Sequence, residues 1–168
     1  YISAYASMVG IKKIYLWGRN LEKSQKIVDN LSLIDSAEIK TVATYKDLVS
    51  SVDIVSCITS SYDPLVNIED ISNGQHYDLV GAYTENMQEV STDVVAASKV
   101  FTDNFDVTLE HAGELVKAFS ESKLIRDDIK GDFKFMCKDD VSKRQTQEEI
   151  TLFKCTGMAL EDLVFAIL

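Results

Sequence analysis

The chain has 168 residues, 27 of them acidic and 17 basic, giving a formal net charge of −10, a pI of about 4.6 and 46% hydrophobic residues. That balance suits a water-soluble, cytoplasmic-type domain, and it works against nucleic-acid binding, which needs a Lys/Arg-rich stripe to grip phosphates. No apolar run reaches the roughly 20 residues that span a bilayer, so no membrane partner is expected.

In chain order, short runs rich in β-branched residues alternate with stretches of helical spacing. The runs are Ile14-Tyr15-Leu16-Trp17, Ile39-Lys40-Thr41-Val42, Asp53 to Ile58, His76 to Val80, Lys99-Val100-Phe101 and Glu149 to Phe153. Near-continuous apolar runs suit strands covered on both faces by helices, which predicts an α/β fold with a doubly wound parallel sheet. Asn20 stands as the N-cap of a helix whose face is marked by Leu21, Gln25, Val28 and Leu31. Thr44 to Asp47 resembles a capping arrangement before Leu48. Phe105, Leu109, Ala112, Leu115, Val116 and Phe119 keep spacings of three and four, predicting one long amphipathic helix. From Lys123 to Gln147 charges dominate, and Lys138 to Arg144 reads as an exposed loop. Residues 1–122 therefore form a first unit, and residues 123–168 a charged connection, a last strand and a final helix packed between other elements.

Cys57, Cys137 and Cys155 are odd in number and form no CxxC pair, so they are expected as reduced thiols. With only His76 and His111 there is no cluster at metal-ligand spacing, and no metal site is expected.

In open parallel sheets ligands bind beyond the carboxyl ends of the strands, so the residues after each run are the candidates. Gly18-Arg19-Asn20 follows the first run and carries no acid. In a dinucleotide fold, an Arg there accommodates a 2′-phosphate, favouring NADP over NAD; otherwise Arg19 is solvated and Asn20 only a cap. Thr59-Ser60-Ser61 offers hydroxyls and backbone donors to a ribose or pyrophosphate, or is an ordinary turn. Gly81-Ala82 after Val80 permits close approach of a ligand, or is a plain strand-to-loop turn. His111 and Glu114, three residues apart, form either an acid/base pair or part of a solvated helix face. Glu161 and Asp162 are read as favourable charges at the start of the last helix. No GxGxxG, GxGxxA or GxxxxGK[ST] occurs.

These blocks together resemble the ornithine cyclodeaminase/mu-crystallin family, which includes bacterial ketimine reductases. The resemblance rests on Trp17-Gly18-Arg19-Asn20, Asp53-Ile54-Val55 leading to Thr59-Ser60-Ser61, Asn73-Gly74 leading to Val80-Gly81-Ala82-Tyr83, Ala112-Gly113-Glu114-Leu115, and above all Glu149 to Asp162. It implies a Rossmann-like nucleotide domain of a protein about twice this length, whose N-terminal part forms the dimerisation and substrate domain. The chain opens Tyr1-Ile2-Ser3, without Met or a signal peptide, and its first ten residues align with the helix after the glycine-rich turn. A truncated chain lacking the first strand and phosphate loop is expected, inactive or unstable alone, with the missing N-terminal half or a homodimer mate as partner. In the strand order 3-2-1-4-5-6 the absent strand would be central, leaving the strands at Ile14 and Ile54 each short of one neighbour.

Two chemistries follow from the resemblance. Cyclodeaminases convert ornithine to proline and ammonia with bound NAD and use an Asp at the position of Tyr83. Their nearby Lys falls on Met87, and Cys155 stands where Ser is usual. A phenol, with a pKa of about 10, does not replace a carboxylate base at neutral pH. The departures favour an NADPH-dependent reductase of a cyclic imine such as Δ1-pyrroline-2-carboxylate, an amino-acid-derived substrate. Tyr83 then donates a hydrogen bond or walls the pocket. Arg19 and Asn20 contact the 2′-phosphate, Thr59 and Ser60 the ribose-pyrophosphate, Val80, Gly81 and Ala82 the nicotinamide side, and Cys155, Thr156 and Gly157 the rim. A non-catalytic remnant is the other alternative.

Overall fold

The computed structural model describes residues 1–8, 10–31, 37–138 and 144–167, apart from the side chains of Asp47, Leu160, Glu161, Asp162 and Phe165. The elements are α1 (Ile2–Ser7), β1 (Lys13–Leu16), α2 (Leu21–Asn30), β2 (Glu38–Thr41), α3 (Lys46–Val49), β3 (Ile54–Cys57), β4 (His76–Leu79), α4 (Thr92–Ala96), β5 (Lys99–Thr102), α5 (Phe105–His111), α6 (Gly113–Ser120), α7 (Phe133–Met136), β6 (Thr151–Lys154) and α8 (Ala159–Ile167). Each expected strand is present within two residues of its predicted position. The chain divides into two compact units, Tyr1–Leu48 and Val49–Leu168.

In the first unit β1 and β2 pair in parallel, from Lys13 opposite Glu38 to Leu16 opposite Thr41. Asn20 caps α2 as predicted, its side-chain oxygen accepting the Lys23 amide at 2.9 Å. The Thr41 hydroxyl donates to Gln25 Oε1 at 2.6 Å and ties α2 to β2. Trp17 and Tyr45 meet edge to face with ring centroids 4.6 Å apart.

The second unit holds a parallel sheet of order β3-β4-β6-β5. Among the described residues β1 pairs only with β2, and β3 only with β4, as the expected order requires of those two strands. That order would also set β5 beside β4, whereas β6, the last strand in sequence, stands between them. A pairing between segments some 75 residues apart leaves no local trace in sequence.

Three further expectations are corrected. The strands β4, β5 and β6 alternate fully buried with half-buried residues, so one face is sealed and the other only partly covered. Tyr77, Leu79, Val100 and Leu152 line the sealed face, all at 0% exposure. The helix predicted from Phe105 to Phe119 is two, α5 and α6, because Ala112 takes an extended conformation (φ −72°, ψ 111°). Gly113 then starts α6 against the Met87 carbonyl, where a Cβ would stand 1.9 Å from that oxygen. In α8, Leu163, Val164 and Ile167 are 54, 50 and 75% exposed, where a helix packed between other elements was expected.

The segment from Lys123 carries α7, whose Phe133 ring stacks on Phe153 of β6 at 5.0 Å. Most of the loop read from Lys138 to Arg144 lies outside the described residues, as do the side chains of Glu161 and Asp162. No helix among the described residues is long and apolar enough to cross a membrane.

Candidate functional site

Parallel pairing brings the carboxyl ends of β3, β4, β6 and β5 to one edge of the second unit. The turns that leave this edge are tied down from beneath by buried carboxylates. Glu89 is completely buried. Its Oε1 accepts the Thr59 amide at 2.6 Å, and its Oε2 accepts the amides of Gly81 at 2.7 Å and Ala82 at 3.3 Å. One side chain thus joins the turns after β3 and β4. Gly81 is required there, because a Cβ would lie 1.9 Å from the Thr59 carbonyl oxygen.

The Glu89 amide in turn donates to Glu114 Oε1 at 2.8 Å. Glu114 Oε2 lies 3.5 Å from Lys154 Nζ, both side chains at 0% exposure. Neither of these two atoms makes a hydrogen bond among the described residues. Burial raises the Glu114 carboxyl above its ordinary range, against the opposing pull of Lys154 and the Glu89 amide. Burial, reinforced by Glu89 and Glu114, also pushes the Cys57 thiol up, so Cys57 is a neutral, packed thiol and not a nucleophile.

A second carboxylate does the same work at β5 and β6. Asp103 is 2% exposed. It accepts the amides of Asn104 at 2.7 Å, Thr156 at 2.8 Å and Gly157 at 2.9 Å, together with the Thr108 hydroxyl. Burial alone would raise its carboxyl, but the hydrogen bonds from Thr108, Thr156, Asn104 and Cys155 outweigh it and hold the group below its ordinary value. Gly157 turns the chain with φ +88°, a conformation that favours glycine.

The residues predicted for the site separate accordingly. Thr59, Ser60, Val80, Gly81, Ala82, Tyr83, Cys155 and Gly157 all belong to this edge of the second unit, whereas Arg19 and Asn20 follow β1 in the first. The backbone donors of Thr59, Gly81, Ala82 and Gly157 are committed to buried carboxylates, and the Ser61 amide points to Thr59 Oγ1 at 3.3 Å. Ser60 is exposed, and Tyr83 is 56% exposed. Ala82 is sealed at 0%. His111 is exposed while Glu114 is buried, so these two do not form a pair, and Glu114 does not lie on a solvated face.

Glu89, Asp103 and Lys154 were not anticipated, because a charged residue in a sequence reads as surface. A signal did exist for Lys154: it follows Leu152 by two positions and so shares that residue's sealed face. A cleft of about 720 Å³ also opens at the opposite, amino end of the sheet, lined by Asn73, Ser98, Lys99, Lys130, Glu149 and Ile150 among others. None of the predicted residues lies there.

Residues 1–168 match the ornithine cyclodeaminase/mu-crystallin family over the whole chain. The chain belongs to this family. It is 36% identical over 166 residues to the Δ1-pyrroline-2-carboxylate reductase of Colwellia psychrerythraea, covering 98% of this chain and 52% of that protein. The reductase of the same name from Paracoccus denitrificans is 30% identical over 166 residues, with the same coverage. Among solved structures, that of Thermococcus litoralis Δ1-pyrroline-2-carboxylate reductase in complex with NADH and L-proline superposes with a TM-score of 0.91 at 25% identity, over 99% of this chain and 51% of that one. The chain therefore spans about half the length of the relatives it matches. A probable ornithine cyclodeaminase from Bordetella pertussis, 20% identical at a TM-score of 0.83, shares the family fold.

Proposed function

We propose that the chain is the NAD(P)-binding portion of a family reductase that acts on a cyclic imine, Δ1-pyrroline-2-carboxylate, with NADPH as donor. The observation that carries this reading is the chemistry of the strand ends. The carboxylates there, Glu89 and Asp103, are spent on backbone amides, and the side chain at the cyclodeaminase acid position is an exposed phenol, Tyr83. An edge of that kind suits positioning of a reduced ring and an electrophile better than abstraction of a proton by a carboxylate base.

Each unit carries groups of the kind a dinucleotide takes. Arg19, exposed beyond β1, supplies a guanidinium for a 2′-phosphate, and Asn20 keeps its amide nitrogen for the same group while its oxygen caps α2. The Thr59 and Ser60 hydroxyls would meet the ribose-pyrophosphate, and Val80 and Gly81 the nicotinamide side; Ala82, fully buried with its amide on Glu89, drops out of the expected contact set. Cys155 and Gly157, on the turn held by Asp103, would form the rim, with Tyr83 as a wall of the substrate pocket. When bound, the reduced nicotinamide would supply a hydride to the imine carbon, and the nitrogen would take its proton from water. Residues 123–168 are the return that adds β6 to the sheet.

The test is titration of NADPH and NADH into the 168-residue chain, followed by nicotinamide emission. NADPH should bind more tightly, and Arg19→Ser should reduce that preference about tenfold, the worth of one charge-assisted hydrogen bond of roughly 1.5 kcal/mol. Tighter binding of NADH would overturn the choice of cofactor. Binding of neither by a chain whose amide exchange shows both units folded would overturn the function.

A further inference from the structure

Glu89, Glu114 and Lys154 lie behind the proposed site, beyond the residues assigned to the ligand. We propose that this trio is a positioning assembly that sets the turns after β3 and β4 for the dinucleotide, an inference that rests on the proposed function.

The connections run without a gap. Glu89 holds Thr59 through one oxygen, and Gly81 and Ala82 through the other. The Glu89 backbone is held by Glu114, the second residue of α6, and Glu114 faces Lys154, the last residue of β6. Residues from α6, β6 and the turns after β3 and β4 thus converge on two carboxylates and one ammonium, all fully buried. Removing charges of this kind from water costs several kcal/mol per ion, and replacement of such a pair by apolar side chains is often neutral or stabilising. Stability alone therefore does not account for the trio, whereas a fixed geometry for the turns does.

The close approaches support this. A Cβ at Gly81 would run into the Thr59 backbone and one at Gly113 into the Met87, Thr84 and Glu85 carbonyls, so neither position has room for a side chain. A shift of Glu114 or Lys154 must pass to Glu89, and from Glu89 to the three amides it holds. In Glu89→Gln an NH2 replaces one oxygen, so a donor faces either the Thr59 amide or the Gly81 and Ala82 amides, and one turn is released. Lys154→Met leaves Glu114 buried without its counter-charge. Adding Glu114→Gln removes that charge while keeping an oxygen for the Glu89 amide.

The experiment uses the full chain and three readouts: NADPH affinity, emission of the bound reduced nicotinamide, and amide exchange by NMR. Relative to the unaltered chain, Glu89→Gln should bind NADPH at least tenfold more weakly, with altered emission in what remains bound. It should speed exchange at least tenfold either at Thr59 or at Gly81 and Ala82, while Val100 of β5 stays protected. Lys154→Met should weaken NADPH at least fivefold, and Lys154→Met with Glu114→Gln should return it to within about threefold of the original. This pair also carries the test if Glu89→Gln does not fold. Unchanged affinity and emission in the folded single variants would overturn the inference and leave the proposed function standing, as would a double variant no better than Lys154→Met. Absence of NADPH binding in the unaltered chain would overturn both.

Discussion

The two units use the same βα alphabet and bury very different amounts of it. In residues 1–48 only Ala6 and Ser24 among the described residues are buried, and Tyr15, Leu21 and Ile27 are 40, 48 and 48% exposed. In residues 49–168 a four-stranded sheet seals Tyr77, Leu79, Val100 and Leu152 completely. A strand pair with two short helices offers few apolar partners, while a third and fourth strand create an interior. The contrast shows where rigidity is available for chemistry: the turns that the second unit pins with Glu89 and Asp103 have no counterpart among the described residues of the first, where Asn20 is held within its own helix, its side chain by the Lys23 amide and its carbonyl by Ser24.

Substitution should expose the difference most strongly. Leu152→Ala, at the centre of β6, should cost about 2–5 kcal/mol in denaturant unfolding, whereas Leu21→Ala on α2 should stay within about 0.5 kcal/mol. Similar costs at the two positions would erase the contrast.

A smaller effect should separate the units with pH. His76 is held below its ordinary value of 6.5 by burial and then by Arg144, which together outweigh Asp78 and Thr151. Because its folded value is depressed, the unfolded chain takes up the proton first, so stability declines as pH falls past about 6.5. His76→Gln should flatten that part of the unfolding profile between pH 7.5 and 5.5, with no change in the exchange of β1 and β2 amides. An unaltered slope would remove His76 from the account.

What could be read in advance follows from the range of the interactions. Strand positions were legible because residues that enter a parallel sheet must be apolar in runs, and the Asn20 cap because capping is settled within three residues. The family resemblance was legible in the ordered blocks ending in Glu149 to Asp162. The place of β6 was not, since pairing of Tyr77 with Leu152 joins distant segments. Nor was the break at Ala112, which preserves the helical spacing of Leu109 and Leu115 while the backbone between them turns. The site was legible in its surface and largely hidden in its support: Tyr83 and Ser60 stand where strand ends predict, and Lys154 shares the alternation of Leu152, but Glu89 and Asp103 are charges that only three-dimensional convergence makes buried.

The central claim, that a dinucleotide binds at the carboxyl edge of the second unit's sheet, is tested most directly by amide exchange of the full chain with and without NADPH. The account predicts slower exchange at Ser60, Ser61 and Tyr83. Protection confined to Ser98, Lys99 and Ile150, in the cleft at the amino end, would contradict it.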